Sequence, residues 1–119
     1  MDFEISFYEN LLKRKPDFVD ALAAIGNLYT KKGLYEKGLK ADLKLSMIKP
    51  DDPIVLYNLA CSYSLLKDMD KALETIQKAI ESGYDHFDYL LDDSDLINLR
   101  ADKRFQEYYS RLRKHKAFG

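Results

Sequence analysis

The sequence predicts an all-α fold built as a stack of helix pairs, and three observations carry that prediction. The stretch from Pro53 to Gly83 reads as two amphipathic helices joined by a tight turn near Lys67 and Asp68. Shifted back by 34 residues, it falls on a second copy running from Val19 to Pro50, with Gly26 under Ala60, Tyr29 under Tyr63 and Gly38 under Ala72. Near the C-terminus, Phe105, Tyr108, Tyr109 and Leu112 form an apolar stripe at helical spacing. A fixed period of this length marks a stacked repeat array, in which each unit buries its apolar face only against its neighbours.

The elements follow in order. Phe3 to Lys15 is an amphipathic helix with Ile5, Tyr8, Leu11 and Leu12 on one face. Pro16 stands one period before Pro50, and Tyr8 and Leu11 take the places of Asp42 and Leu45, so residues 1–16 read as the second helix of a half-repeat. That helix either opens the array in mid-repeat or serves as its N-terminal cap. Asp17 is the expected N-cap of the next helix, which runs to about Lys32 and stops at Gly33. A helix from about Tyr35 to Lys49 follows, ended by Pro50, which closes the first repeat, 17–50.

Asp52 caps the second repeat, 51–84, and Pro53 occupies its first helical turn, where a missing N–H costs nothing. Helices from Pro53 to Leu66 and from Met69 to Ser82 complete it, with Gly83 as the stop. Beyond Gly83 the register is expected to fail, because a third copy would put its Leu-Gly pair at Asp93-Ser94. Residues 85–119 are therefore read as a divergent helical cap. Short helical turns are expected around Asp88–Leu91 and Asp95–Leu99, with a final helix from about Lys103 to His115 and frayed residues from Lys116 to Gly119.

The spacing resembles the tetratricopeptide repeat. The second copy has Leu56, Leu59-Ala60 and Tyr63 on its first helix, then Ala72, Ile76 and Ala79. The first copy has Leu22, Ile25-Gly26 and Tyr29, then Gly38, Asp42, Leu45 and Pro50. Small residues at Gly26, Ala60 and Ala72 let helix backbones approach, while the tyrosines fill the wedge beside them. The resemblance covers roughly residues 17–84, and Leu96 to Phe105 looks like tails that follow the last repeat in some bacterial members. It implies a right-handed α-α superhelix with a divergent C-terminal capping helix. Two departures stand out: Gly38 replaces the usual Ala, and Asp42 sits where the family prefers an aromatic. They predict looser packing of the second helix of the first repeat. Asp42 is expected at the surface or accepting a hydrogen bond from a tyrosine.

Composition bounds the function classes. With 46% hydrophobic and 33% charged residues, the 119-residue chain reads as one ordinary globular domain. A net charge of −1 provides no basic field for nucleic acid. No apolar run approaches the roughly 20 residues of a membrane span. The acidic start MDFEISFYEN does not look like a signal peptide. Cys61 is the single cysteine, which fits a reducing compartment, and the cytoplasm is expected.

The resemblance also implies function: a protein–protein interaction module whose first helices line a concave groove. Carried over by position, that groove takes Asp20, Ala23, Ala24, Asn27 and Lys31 from the first repeat, and Ile54, Tyr57, Asn58, Cys61 and Leu65 from the second. The apolar patch at Ile54, Tyr57 and Leu65, with amides nearby, suits a peptide or helix of an unknown partner protein. Alternatively the C-terminal helix covers this patch within the chain, or it packs near Ile76 and Ile80 as a third repeat would. Self-association through the incomplete N-terminal repeat is the structural alternative.

Other chemistry finds less support. Asn27 and Asn58 match two positions of the family's carboxylate clamp, but Ala23 replaces its first lysine and the acidic stretch Asp85–Asp95 replaces the repeat that would carry the others. That stretch lacks the glycine turn and closing Glu of a calcium loop. His86 and His115 lie in no metal spacing, and Cys61 has no thiolate-stabilising neighbour in sequence. The basic run Arg111, Arg113, Lys114 and Lys116 suits a helix C-terminus. Without a phosphate loop, a Ser/His/Asp set or paired acids, no enzyme, no metal and no cofactor are expected, and neither is a nucleic-acid or membrane partner.

Overall fold

The computed structural model describes residues 2–118, with side chains through His115. Gly119 and the side chains of 116–118, where fraying was expected, lie outside the described residues. The chain is all-α. Five longer helices come first: α1 Phe3–Arg14, α2 Val19–Lys31, α3 Tyr35–Ile48, α4 Pro53–Leu65 and α5 Met69–Glu81. Then come α6 Phe87–Asp92, a 3-10 turn Ser94–Leu96, α7 Ile97–Arg100 and α8 Lys103–Phe118. Helices α1 to α5 pack side by side in order, the 3-10 turn and α7 pack back on α4 and α5, and the whole is a rod of 49 × 24 × 22 Å. Among the described residues no helix is long and apolar enough to cross a membrane.

Local chemistry explains the boundaries. Asp2 Oδ1 accepts from the Glu4 and Ile5 N–H groups, and Asp52 does the same for Ile54 and Val55 ahead of Pro53. Asp68 accepts from the Lys71 N–H at the start of α5. The expected cap at Asp17 does not form: α2 begins after Phe18, whose backbone is extended and whose side chain cannot cap. The Phe18 carbonyl instead accepts from the Leu22 N–H.

Three turns share one hydrogen-bond pattern. Leu34 donates to the Tyr29 carbonyl and Gly33 to Thr30; Asp68 donates to Tyr63 and Lys67 to Ser64; Tyr84 donates to Ala79 and Gly83 to Ile80. These are Schellman closures, which need a left-handed residue. Gly33 (φ 78°) and Gly83 (φ 115°) supply it freely, whereas Lys67 holds φ 62° with a side chain attached.

The main core lies under the second repeat and the tail. Ala60, Ala72, Ile76 and Ala79 from α4 and α5 meet Leu90, Leu96, Leu99 and Phe105 from the tail. All eight are 0–2% exposed, which makes the tail a full partner in folding. Tyr109 joins from α8, with Ile80 packed against the same core. Arg104 of α8 pairs with Asp70 of α5 at 2.6 Å. The first repeat rests on smaller groups, Leu22–Leu45–Val55 and Ile25–Tyr29–Ala41, backed by Ile5, Tyr8 and Leu12 of α1.

Two expectations are corrected. The spacing outlasts Gly83, since Tyr35, Met69 and Lys103 start successive second helices 34 residues apart. What changes is the helix in between, broken into α6, the 3-10 turn and α7. Asp93 makes the break by accepting from the Asp95 N–H, and Arg100 Nη1 secures it by donating to the Leu90 and Asp93 carbonyls at 2.8 and 2.6 Å. The second correction concerns the first repeat, where α2 and α3 meet closely. A Cβ on Gly38 would lie 2.8 Å from Thr30 Oγ1, and one on Gly26 would lie 3.0 Å from Asp42 Oδ1. Asp42 is neither at the surface nor bonded to a tyrosine. It is buried in the space Gly26 leaves and accepts from the Ser62 hydroxyl of α4.

Candidate interaction surface

The first helices α2 and α4 carry the residues expected to line a groove, and the structure divides them. On α2, Asp20, Asn27 and Lys31 are exposed, with Ala23 and Ala24 half-buried. On α4, Ile54 is 49% exposed, and Asn58 and Leu65 are half-buried. Tyr57 and Cys61 are different: both are buried, at 4% and 5%. The tail from Tyr84 to Asp95 lies over them, so Cys61 is covered and Tyr57 reaches solvent only at the edge of a small pocket.

Tyr57 is held from three directions. Its ring stacks on Tyr84 with centroids 4.3 Å apart and planes 7° from parallel. Tyr89 meets it edge-on at 6.0 Å. Its hydroxyl donates to Asp93 Oδ2 at 2.6 Å. Burial, reinforced by this carboxylate, pushes the Tyr57 phenol well above its ordinary range. Burial likewise raises the Cys61 thiol, with Asp93 and Asp95 adding to it. Cys61 is therefore a thiol rather than a thiolate, donating weakly to Asp93 over 3.8 Å.

Ligand-type atoms of Cys61, Asp93 and Asp95 lie within 4.8 Å of one another. Internal hydrogen bonding accounts for them: Asp93 accepts from Tyr57 and from the Asp95 N–H, and Cys61 is protonated. Asp95 is raised by burial and by the neighbouring Asp93. His86 lies 3.9 Å from Asp85 Oδ1, and His115 is exposed on α8.

What stays open is a pocket of about 300 Å³ lined by Ile54, Tyr57, Asn58, Tyr84, His86 and Tyr89. Tyr89 and Ile54 are its exposed apolar lining residues, and the buried Tyr57–Tyr84 stack completes the lining. The Asn58 amide has no side-chain partner among the described residues, so it is free to bond a peptide backbone. The arrangement can hold an apolar side chain among rings while an amide fixes the chain that carries it. Ile54, Tyr57 and Asn58 were expected here. Tyr84, His86 and Tyr89 were not, since they belong to a tail whose helices are too short for periodicity to assign a face.

The sequence profile of the tetratricopeptide repeat matches residues 54–82. The chain is similar to a chloroplastic protein from Arabidopsis thaliana, 31% identical over 102 residues. The similarity covers 82% of this chain but only 30% of that relative.

Proposed function

We propose that this chain, a tetratricopeptide-repeat protein, is an interaction module that holds a peptide or helix of a partner protein on its concave side. Tetratricopeptide repeats are in general non-catalytic protein-interaction units, and no enzymatic role is proposed. Residues 17–50 and 51–84 act as its two repeats, flanked by the N-terminal half-repeat 1–16 and the C-terminal cap 85–119. The aromatic pocket with its unpartnered amide carries this reading, because it offers an apolar anchor site and a backbone contact together. The partner enters along Asp20, Asn27 and Lys31, crosses Ile54 and Asn58, and seats an apolar side chain against Tyr84 and Tyr89. Tyr57 and Cys61 contribute from below by holding the wall in place.

A displayed peptide library selected on the protein tests this. Selected peptides should carry a common apolar or aromatic position and should bind Tyr89→Ala and Ile54→Asp about tenfold or more weakly. Peptides that bind both variants as tightly as the parent would refute it.

Self-association is a second reading, supported by Phe3 and Phe7. They stand 84% and 58% exposed on α1, a helix with no buried residue. Sedimentation over a range of concentrations checks it: a dimer lost in the variant Phe3→Asp/Phe7→Asp supports this reading. On location, the cytoplasm remains our reading, and the relative's name gives the chloroplast for that protein. A fluorescent fusion of the full-length source protein distinguishes the two.

A further inference from the structure

The opposite face of α2 bears a second surface. By helical periodicity Leu22, Ile25 and Tyr29 point away from Ala24, Asn27 and Lys31. They floor a depression of about 650 Å³ between α1 and α3, together with Leu12 and Ala41. Its rim is basic: Lys37, Lys40 and Lys44 form a stripe on α3, and Lys13 joins them from α1. All four lysines are exposed, and none forms an ion pair among the described residues. Glu9 is the carboxylate lining the depression, and it accepts from the Tyr29 hydroxyl at 2.6 Å. Lys37 lies over the Tyr29 ring at 5.6 Å.

We propose that this groove docks an acidic amphipathic segment of a partner protein. Its apolar side chains enter the depression beside half-buried Leu12, over a floor closed by Ile25 and Tyr29, and its carboxylates lie between the lysines. Charge complementarity carries the assignment. Four exposed lysines against the single Glu9 carboxylate leave this depression with an excess of positive charge on a chain of net charge −1, which favours an incoming carboxylate. The floor is recessed, so it receives protruding side chains; a membrane would require apolar groups that protrude into it. Single-stranded nucleic acid would require open ring faces for stacking, and the Tyr29 ring lies under Lys37 and is 9% exposed.

The test is fluorescence anisotropy with a labelled helical peptide carrying Leu at i, i+3, i+4 and i+7 and Glu elsewhere. Its Lys-for-Glu counterpart, phosphatidylglycerol vesicles and single-stranded DNA run in parallel. The acidic peptide should bind, weaken with added salt, and weaken about tenfold or more in Lys40→Glu/Lys44→Glu. Lys40→Gln/Lys44→Gln should fall between the two, and Tyr89→Ala should leave binding unchanged, which separates this groove from the concave site. These lysines are solvent-facing, and circular dichroism is to be recorded for each variant as the check on its folding. The proposal is overturned if the acidic peptide binds no better than the basic one, or if charge reversal leaves its binding unchanged. Tighter lysine-dependent binding of vesicles or DNA also overturns it.

Discussion

The Ser62 hydroxyl of α4 donates to the Asp42 carboxylate of α3, joining the two repeats through a carboxylate that is 8% exposed. Burial raises the Asp42 carboxyl to about 6, from an ordinary value of 3.8, with the Ser62 bond pulling the other way. The raised value means that the folded state binds the proton more tightly than the unfolded chain. This contribution to stability is fully present below pH 3.8 and lost as pH rises through about 6.

Asp42→Asn removes the charge and keeps an acceptor for Ser62. It should stabilise the protein by about 1–3 kcal/mol at neutral pH and by little below pH ~4. Urea melts of both proteins across this range measure the difference. A constant offset at every pH would show that Asp42 does not titrate as the fold implies.

Lys67 holds a left-handed backbone where the preceding repeat has Gly33. Lys67→Gly should therefore stabilise by about 1 kcal/mol, the relief of left-handed strain exceeding the added freedom of the unfolded chain. Gly33→Ala should destabilise by a similar amount. Thermal melts read both, and opposite signs are required.

Arg100 closes the break in the tail through two backbone carbonyls. Arg100→Met keeps much of the side-chain bulk and removes both bonds, so it should cost about 2–3 kcal/mol. Hydrogen exchange should speed up first over residues 87–100, while α2 and α3 stay protected. Uniform loss of protection would show that the tail does not open separately.

Phe105 ties α8 to the main core and is 2% exposed. Phe105→Ala should cost about 3–5 kcal/mol, by lost burial and the cavity left behind. Calorimetry checks this. Deleting residues 102–119 should lower the melting temperature at least as far, and an unchanged melt would remove α8 from the folding unit.

The sequence by itself determined the all-α class, the helix pairs and the places of the turns. These depend on local chemistry: apolar spacing, proline, capping aspartates, and small residues recurring at 34-residue intervals. It also placed Phe105 and Tyr109 on one face of the last helix. The tertiary structure decided what covers what. Tyr57 and Cys61 occupy groove positions by register, yet they are buried because Tyr84 and Asp93 reach back across 27 and 36 residues. Asp42 looks like a packing defect in one dimension. In three it is accommodated by the missing Cβ of Gly26 and the hydroxyl of Ser62. Helical periodicity reports the face a residue takes on its own helix; the segment that returns to cover that face is a long-range contact and leaves no local period.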